Sequence, residues 1–143
     1  MIEIKKPKII QKAWGEEIQI ANTFGYCGKI LKVSEGYRSS IHRHEKDETF
    51  YELDGEIYAE LGENPEDLEG VIFRGGGIIH IPINMWHRFS GLEDSRIIEF
   101  STPDVESGRY IGSGKIPNFY DWREEIRLIN RKLKNKKLAE VLK

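Results

Sequence analysis

The chain has 143 residues, enough for one domain with its own hydrophobic core. Its 22 Lys/Arg against 24 Asp/Glu leave a net charge of −2, which excludes a global electrostatic pull toward nucleic acid. Cys27 is the only cysteine, so no intramolecular disulfide is expected, and no apolar run has the length of a membrane span or the pattern of a leader peptide, so a cytoplasmic protein is expected.

Residues 18 to 110 read as a succession of short strands. In chain order they are KILKV (29–33), SSIHRH (39–44), TFYEL (49–53), EIYAEL (56–61), GVIF (70–73), IIHIP (78–82), HRFSG (87–91) and RIIEFS (96–101). Turn residues separate them, and Asp54-Gly55 is a tight-hairpin signal. Residues 62–70 read as a surface loop. Many short strands at regular spacing predict an all-β fold, a sandwich or small antiparallel β-barrel. From Asp121 the period changes: Trp122, Ile126, Ile129 and Leu133 share one helical face, and Asp121 with Glu124 has the spacing of a capping box. We therefore divide the chain into a barrel with an N-terminal arm over 1–118 and a C-terminal amphipathic α-helix over 119–143. Residues 121–143 hold eight Lys/Arg and four Asp/Glu, a net +4, against −6 for the rest. A solvated cationic face explains this charge better than nucleic-acid binding, and the apolar stripe is expected to pack on the barrel or on a second subunit.

The chemistry concentrates in GYRSSIHRHEKDETFYELDG, residues 36–55. On a strand, His42 and His44 point to one face about 6–7 Å apart, close enough to share a divalent ion. Glu48 follows four residues on, and His87, just after a strand-like run, supplies a fourth group. Three imidazoles and a carboxylate suit one Zn, Mn, Fe, Co or Ni ion, with positions left open for water or substrate.

The pattern extends beyond the ligands. Gly36, His42-x-His44, Glu48 and Gly55 stand at the spacing of the first cupin motif, and Gly76, Pro82, Asn84 and His87 resemble the second. Two positions depart from it: Asn84 stands where the family has glycine, and Gly91 where it has asparagine. Both touch turn geometry and not ligands. The resemblance implies a cupin barrel (a double-stranded β-helix or jelly roll) with one metal held by His42, His44, Glu48 and His87, and a homodimer. Trp14-Gly15, Tyr26 to Lys29 and Glu99 to Pro103 resemble mannose-6-phosphate isomerase-type cupins, and Lys46-Asp47-Glu48 resembles D-lyxose isomerase-type cupins, in which such a lysine contacts the sugar.

That resemblance implies a metal-dependent sugar or sugar-phosphate isomerase that interconverts aldose and ketose through an enediol. Such chemistry needs a metal to hold two neighbouring oxygens and a carboxylate to carry a proton between adjacent carbons. Lys46 is the candidate donor to the carbonyl oxygen. Glu52 shares parity with Glu48 and Phe50 and is expected to face inward; it either pairs with Arg38 or Lys46, acts as the general base, or is turned outward by a bulge. Arg38 shares parity with His42 and His44 and is a candidate for holding a phosphate or hydroxyl, with a rim salt bridge as the alternative. His80 is a candidate pocket-lining donor, with a structural role as the alternative, and strand phase leaves the face of Glu99 open. The competing functions are an Fe-dependent dioxygenase and a non-catalytic cupin that binds a sugar or carboxylate. The expected partner in every case is a small molecule, with no nucleic acid and no membrane.

Overall fold

The structure is a computed structural model, and it describes residues 1–142. The strands are Lys8–Lys12 (β1), Gly15–Asn22 (β2), Cys27–Val33 (β3), Tyr37–Arg38 (β4), Ile41–His44 (β5), Glu48–Asp54 (β6), Glu56–Asn64 (β7), Asp67–Arg74 (β8), Ile78–Ile81 (β9), Trp86–Gly91 (β10), Ser95–Ser101 (β11), Ser107–Ile111 (β12) and Gly114–Lys115 (β13), followed by helix Phe119–Val141 (α1). Two antiparallel sheets face each other. One has the order β1-β2-β3-β11-β6-β9 and the other β12-β5-β10-β4-β13, with β7 also paired to β10 and β8 paired to β7.

Alternation along the strands builds the interior. On β6, Glu48, Phe50 and Glu52 are buried, and on β3 so are Cys27, Lys29, Leu31 and Val33. On β11 the inward set is Ser95, Ile97 and Glu99. The apolar members form one cluster that includes Trp14, Leu31, Phe50, Ile57, Phe89 and Ile97. Trp14 meets Phe89 edge-on with centroids 4.9 Å apart, and Phe50 lies 6.2 Å from Phe89. The buried polar residues therefore lie in layers above and below an apolar middle. Gly55 closes the turn from β6 to β7 at φ 89°, and a Cβ there would stand 2.4 Å from the Asp94 carbonyl oxygen, so the turn requires glycine.

Four sequence expectations change. Residues 62–70 are not a loop: β7 and β8 run through them as a hairpin, with Asn64 paired to Asp67. The N-terminal arm contributes β1 and β2, which extend the first sheet by two strands. The helix begins at Phe119 after Asn118 at φ 48°, with no side-chain cap, so Asp121 lies within the first turn and forms no capping box. Only the first half of α1 docks. Trp122 packs edge-on against Tyr58, Arg127 donates to Glu56 at 2.9 Å, and Arg123 donates to Glu35 at 2.7 Å. Ile129 and Leu133, expected to be covered, are exposed. Among the described residues no helix is long and apolar enough to cross a membrane.

Candidate metal centre and its cavity

The three candidate histidines meet inside the barrel. β5 carries His42 and His44, and β10 sets His87 directly opposite His42. One nitrogen from each ring lies within 4.8 Å of the others. The approach to β10 depends on Asn84, which adopts φ 64°, a left-handed conformation that asparagine tolerates better than most residues. Its N–H donates to the His44 carbonyl at 3.1 Å and ties the turn before β10 to the end of β5.

Hydrogen bonds orient each ring. Nδ1 of His42 donates to the Ser40 carbonyl at 2.8 Å, and Nδ1 of His87 donates to the Met85 carbonyl at 2.9 Å. A carbonyl can only accept, so in both rings Nδ1 carries the proton and Nε2 keeps a free lone pair. Nδ1 of His44 lies 3.0 Å from the Ser107 hydroxyl. Such outer contacts are the usual support of metal-binding imidazoles. Burial lowers the His42 pKa to about 4 and pushes His87 well below its ordinary value, so both rings stay neutral, as ligands must.

Glu48, at the start of β6, lies beside two of the three rings. Its Oε2 lies 2.7 Å from His44 Nε2 and 3.4 Å from His87 Nε2. His44 Nε2 and Glu48 Oε2 are both buried, and neither meets a hydrogen-bond partner of good geometry among the described residues. Burial raises the Glu48 pKa, with neighbouring Glu99 adding to the effect. Two buried polar atoms this close together are costly unless a proton or a cation lies between them. The three imidazoles, with the Glu48 carboxylate beside two of them, suit a divalent transition-metal ion.

A cavity of about 400 Å³ opens beside this cluster. A belt of charge lines it. Lys46 is only 1% exposed, and its Nζ donates to Glu99 at 2.9 Å and Asp104 at 2.7 Å, with Glu48 at 3.5 Å. Burial alone would lower the Lys46 pKa, but Glu99, Asp104 and Glu48 hold it above its ordinary value. Lys29 donates to Asp104 at 2.7 Å and pairs closely with Glu17. Burial raises the Asp104 carboxyl, and the two lysines more than offset it, leaving the pKa below the usual range. Arg109 and Ser107 on β12 line the opposite wall.

Three candidate residues stand elsewhere. His80 is not in the cavity: β9 pairs with β6 so that His80 is opposite the outward-facing Thr49, while Ile79 and Ile81 take the inner face. It is 58% exposed and lies 2.5 Å from Asp47. The alternation on β9 was legible, but not which face pointed inward. Arg38 does not line the cavity, because Ser39 and Ser40 both do and thereby break the two-residue period between Arg38 and His42. Arg38 instead sits near Arg88 and Glu60, whose pKa values it influences. Glu52 faces inward but lies one same-face step beyond Phe50, outside the cavity, so it is placed to act neither as the base nor as a partner of Arg38 or Lys46. A bulge does occur beside it, between Arg96 and Ile97, yet Glu52 stays 0% exposed.

The sequence reading missed Glu17, Lys29, Asp104 and Arg109. Lys29 was accessible from its parity with Leu31 and Val33. Asp104 follows the last barrel strand in an irregular segment, where no periodicity points to it. Glu99 resolves inward, with Lys46 and Ser101 both donating to its Oε2.

No family model matches the chain, and no curated protein matches it. Solved structures do. CapF, in complex with 3-isopropenyl-tropolone, is 14% identical over 73% of this chain with a TM-score of 0.61, and this chain spans 34% of CapF, about a third of its length. KdgF from Halomonas sp. is 24% identical, with 63% of this chain and 81% of that one covered and a TM-score of 0.56. Ectoine synthase from P. lautus is 13% identical, with 73% and 81% covered and a TM-score of 0.60. At these identities the likeness speaks of architecture, and with the two closed sheets and the histidine cluster it shows that this chain has the cupin fold, a small β-barrel with a C-terminal helix.

Proposed function

We propose that the protein is a metal-dependent isomerase of a sugar or sugar phosphate. The observation that carries this reading is the buried Lys46–Glu99 pair beside Glu48, facing the same cavity as the three histidines. A divalent ion held by His42, His44, Glu48 and His87 would supply Lewis-acid stabilisation of the charge that develops on two neighbouring sugar oxygens. The protein's own groups supply the rest. Both hydrogen bonds to Glu99 arrive at Oε2, which leaves Oε1 to take a proton from the carbon next to the carbonyl and return it to its neighbour. Glu99 thus takes the role that parity alone offered to Glu52. Two N–H groups of Lys46 are committed to Glu99 and Asp104, and the third, held loosely by Glu48 at 3.5 Å, is available to the carbonyl oxygen. The enclosing walls limit water, which protects an enediol from side reactions. A cavity of about 400 Å³ suits a pentose or hexose with room for a terminal substituent near Arg109.

The test is aldose–ketose exchange by protein loaded separately with Mn, Fe, Co, Ni or Zn, across pentoses, hexoses and their 6-phosphates. Turnover should appear with at least one pairing. Glu99→Gln should lower it at least ~100-fold while metal content is unchanged. No turnover with any pairing sinks the isomerase reading, and saturable sugar binding without turnover would favour the non-catalytic alternative.

A further inference from the structure

The charged residues that line the cavity pair with one another, with a single exception. Lys12 lies 3.5 Å from Glu17, Lys29 pairs closely with Glu17 and lies 2.7 Å from Asp104, and Lys46 lies 2.7 Å from Asp104 and 2.9 Å from Glu99. Three cations thus meet three acids, and Glu48, the fourth acid, faces His44 and His87. Arg109 lines the same cavity and enters no ion pair among the described residues. An unpaired arginine on a protein surface is ordinary, because water solvates it. The direction of this one is not. β12 sets Arg109 opposite His42 and Ser107 opposite His44, so these side chains share the inner face with the histidines. Tyr110, the next residue, faces outward, where its ring lies 6.3 Å from that of Trp86 and its hydroxyl donates to Glu66 at 2.7 Å. The guanidinium therefore stands at the solvent-exposed mouth of the cavity, turned toward the interior.

We propose that the ligand of this cavity is a sugar acid, and that Arg109 determines this specificity by holding its carboxylate. The inference rests on the isomerase reading and names the substrate class within it. Glu99 belongs to the first sheet and Arg109 to the second, and both face the cavity between the sheets. A sugar whose reacting carbons lie at Glu99 and Lys46 therefore extends its far end toward Arg109. A hydroxymethyl group there would leave the guanidinium charge unmatched, whereas a carboxylate fits its planar fork through two parallel N–H···O bonds. A phosphate fits this corner less well. It carries about −1.5 to −2 charge at neutral pH and three strong acceptor oxygens, which a second cation or a helix N-terminus would ordinarily meet. Here the other three cations are matched by Glu17, Asp104 and Glu99, and α1 contributes nothing to the cavity lining. One unpaired guanidinium calls for one singly charged, planar partner.

The test is isothermal titration of the full chain, in buffer containing Mn, with D-glucuronate, D-galacturonate and D-mannuronate, each beside its parent hexose and that hexose's 6-phosphate. At least one hexuronate should bind ~10-fold or more tighter than both of its counterparts. Arg109→Met should erase that preference, weakening the hexuronate ~10-fold or more while the parent hexose changes less than about twofold. Arg109→Lys keeps the charge and should recover at least part of the preference, which a loss of fold would not allow. Arg109 is exposed on an edge strand, so the circular dichroism of both variants should stay native. Arg43→Met removes a cation that stacks on Trp86 on the outer face of neighbouring β5, and should leave the preference intact. A native chain that binds no hexuronate, or binds none tighter than its parent hexose, overturns the proposal. So does a preference that survives Arg109→Met, one that is lost equally in Arg43→Met, or a 6-phosphate that binds tighter than the hexuronate. The same hexuronates extend the aldose–ketose exchange panel. Arg109-dependent hexuronate binding with no exchange of any sugar leaves Arg109 as the carboxylate site and removes the isomerase reading. Exchange of neutral sugars with no hexuronate preference does the reverse.

Discussion

Glu52 offers a direct measurement of what an unpaired carboxyl costs inside this barrel. It is 0% exposed, and neither oxygen has a hydrogen-bond partner among the described residues. Burial, with a smaller contribution from Asp54, raises its pKa from 4.5 to about 8. The folded protein thus keeps a proton that the unfolded chain releases. Below the unfolded pKa both states are protonated and Glu52 costs no ionisation energy. As pH rises past 4.5, the unfolded state loses the proton first, and stability falls by up to about 1.4 kcal/mol per pH unit until the folded pKa near 8 is reached. The full window sets a ceiling of ~4–5 kcal/mol, and we expect about half of it, since local opening that admits water relieves the penalty. Glu52→Met removes both oxygens at similar volume. Urea denaturation of the two proteins at pH 5, 6, 7 and 8 isolates the effect, because the metal ligands are common to both and cancel in the difference. The variant should be more stable throughout, and its advantage should grow by ~2 kcal/mol between pH 5 and pH 8. An advantage that stays flat across that range, or shrinks, refutes the assignment of a neutral, unpaired Glu52.

Other perturbations read other parts of the molecule. His44→Ala removes one imidazole and leaves Glu48 facing an incomplete donor set, so metal content by elemental analysis should fall to background, whereas His80→Ala should leave it unchanged. Adding a bound divalent ion at about 100 times its Kd should stabilise the native protein by ~2.7 kcal/mol, and chelation should reverse that gain in a thermal melt. Lys46→Met leaves Glu99 and Asp104 without their shared cation and should destabilise the barrel by ~3 kcal/mol in urea titration, in addition to abolishing turnover. Arg127→Ala takes one of two cations from the buried Glu56, and should cost about 1 kcal/mol at neutral pH. Burial raises the Glu56 carboxyl, but Arg127 and Arg74 outweigh it and hold its pKa low, so this loss should shrink as pH falls through that pKa, the opposite sense to Glu52.

The barrel and its donor cluster were legible in sequence because both rest on short-range rules. Strand alternation and turn residues located β3, β6, β10 and β11 closely, and the two motif segments named the three histidines that the fold brings together, with Glu48 beside two of them. Errors arose wherever a local break or a global choice overrode the period. Ser39 and Ser40 interrupt the parity that was used to place Arg38. For His80 the alternation held, but only the pairing of β9 with β6 decides which of its faces is inside. Asp104 was invisible for a different reason: it bridges Lys29 and Lys46 through contacts 75 and 58 residues apart in sequence, which no local pattern reports.

The buried carboxylates then divide by depth, and that division bears on function. Along β6 the inward residues are Glu48, Phe50 and Glu52, two acids separated by one aromatic ring. Above the ring, Glu48 faces the Nε2 atoms of His44 and His87 and the Lys46 ammonium, and its charge can be matched by a metal. Below it, Glu52 meets no cation among the described residues, so burial keeps it neutral and out of reach of a substrate. The apolar layer of Leu31, Phe50, Phe89 and Ile97 thus acts as a floor to the cavity. Opening that floor should connect the two acids electrostatically. In Phe50→Ala, the space left by the ring should fill with water, because both ends of the new void carry carboxylates. Hydration should bring Glu52 back toward an ordinary carboxyl, so the pH dependence that separates Glu52→Met from the native chain should largely vanish in the Phe50→Ala background. If the full ~2 kcal/mol difference persists there, Phe50 is not what keeps water from Glu52, and the floor lies elsewhere in the core.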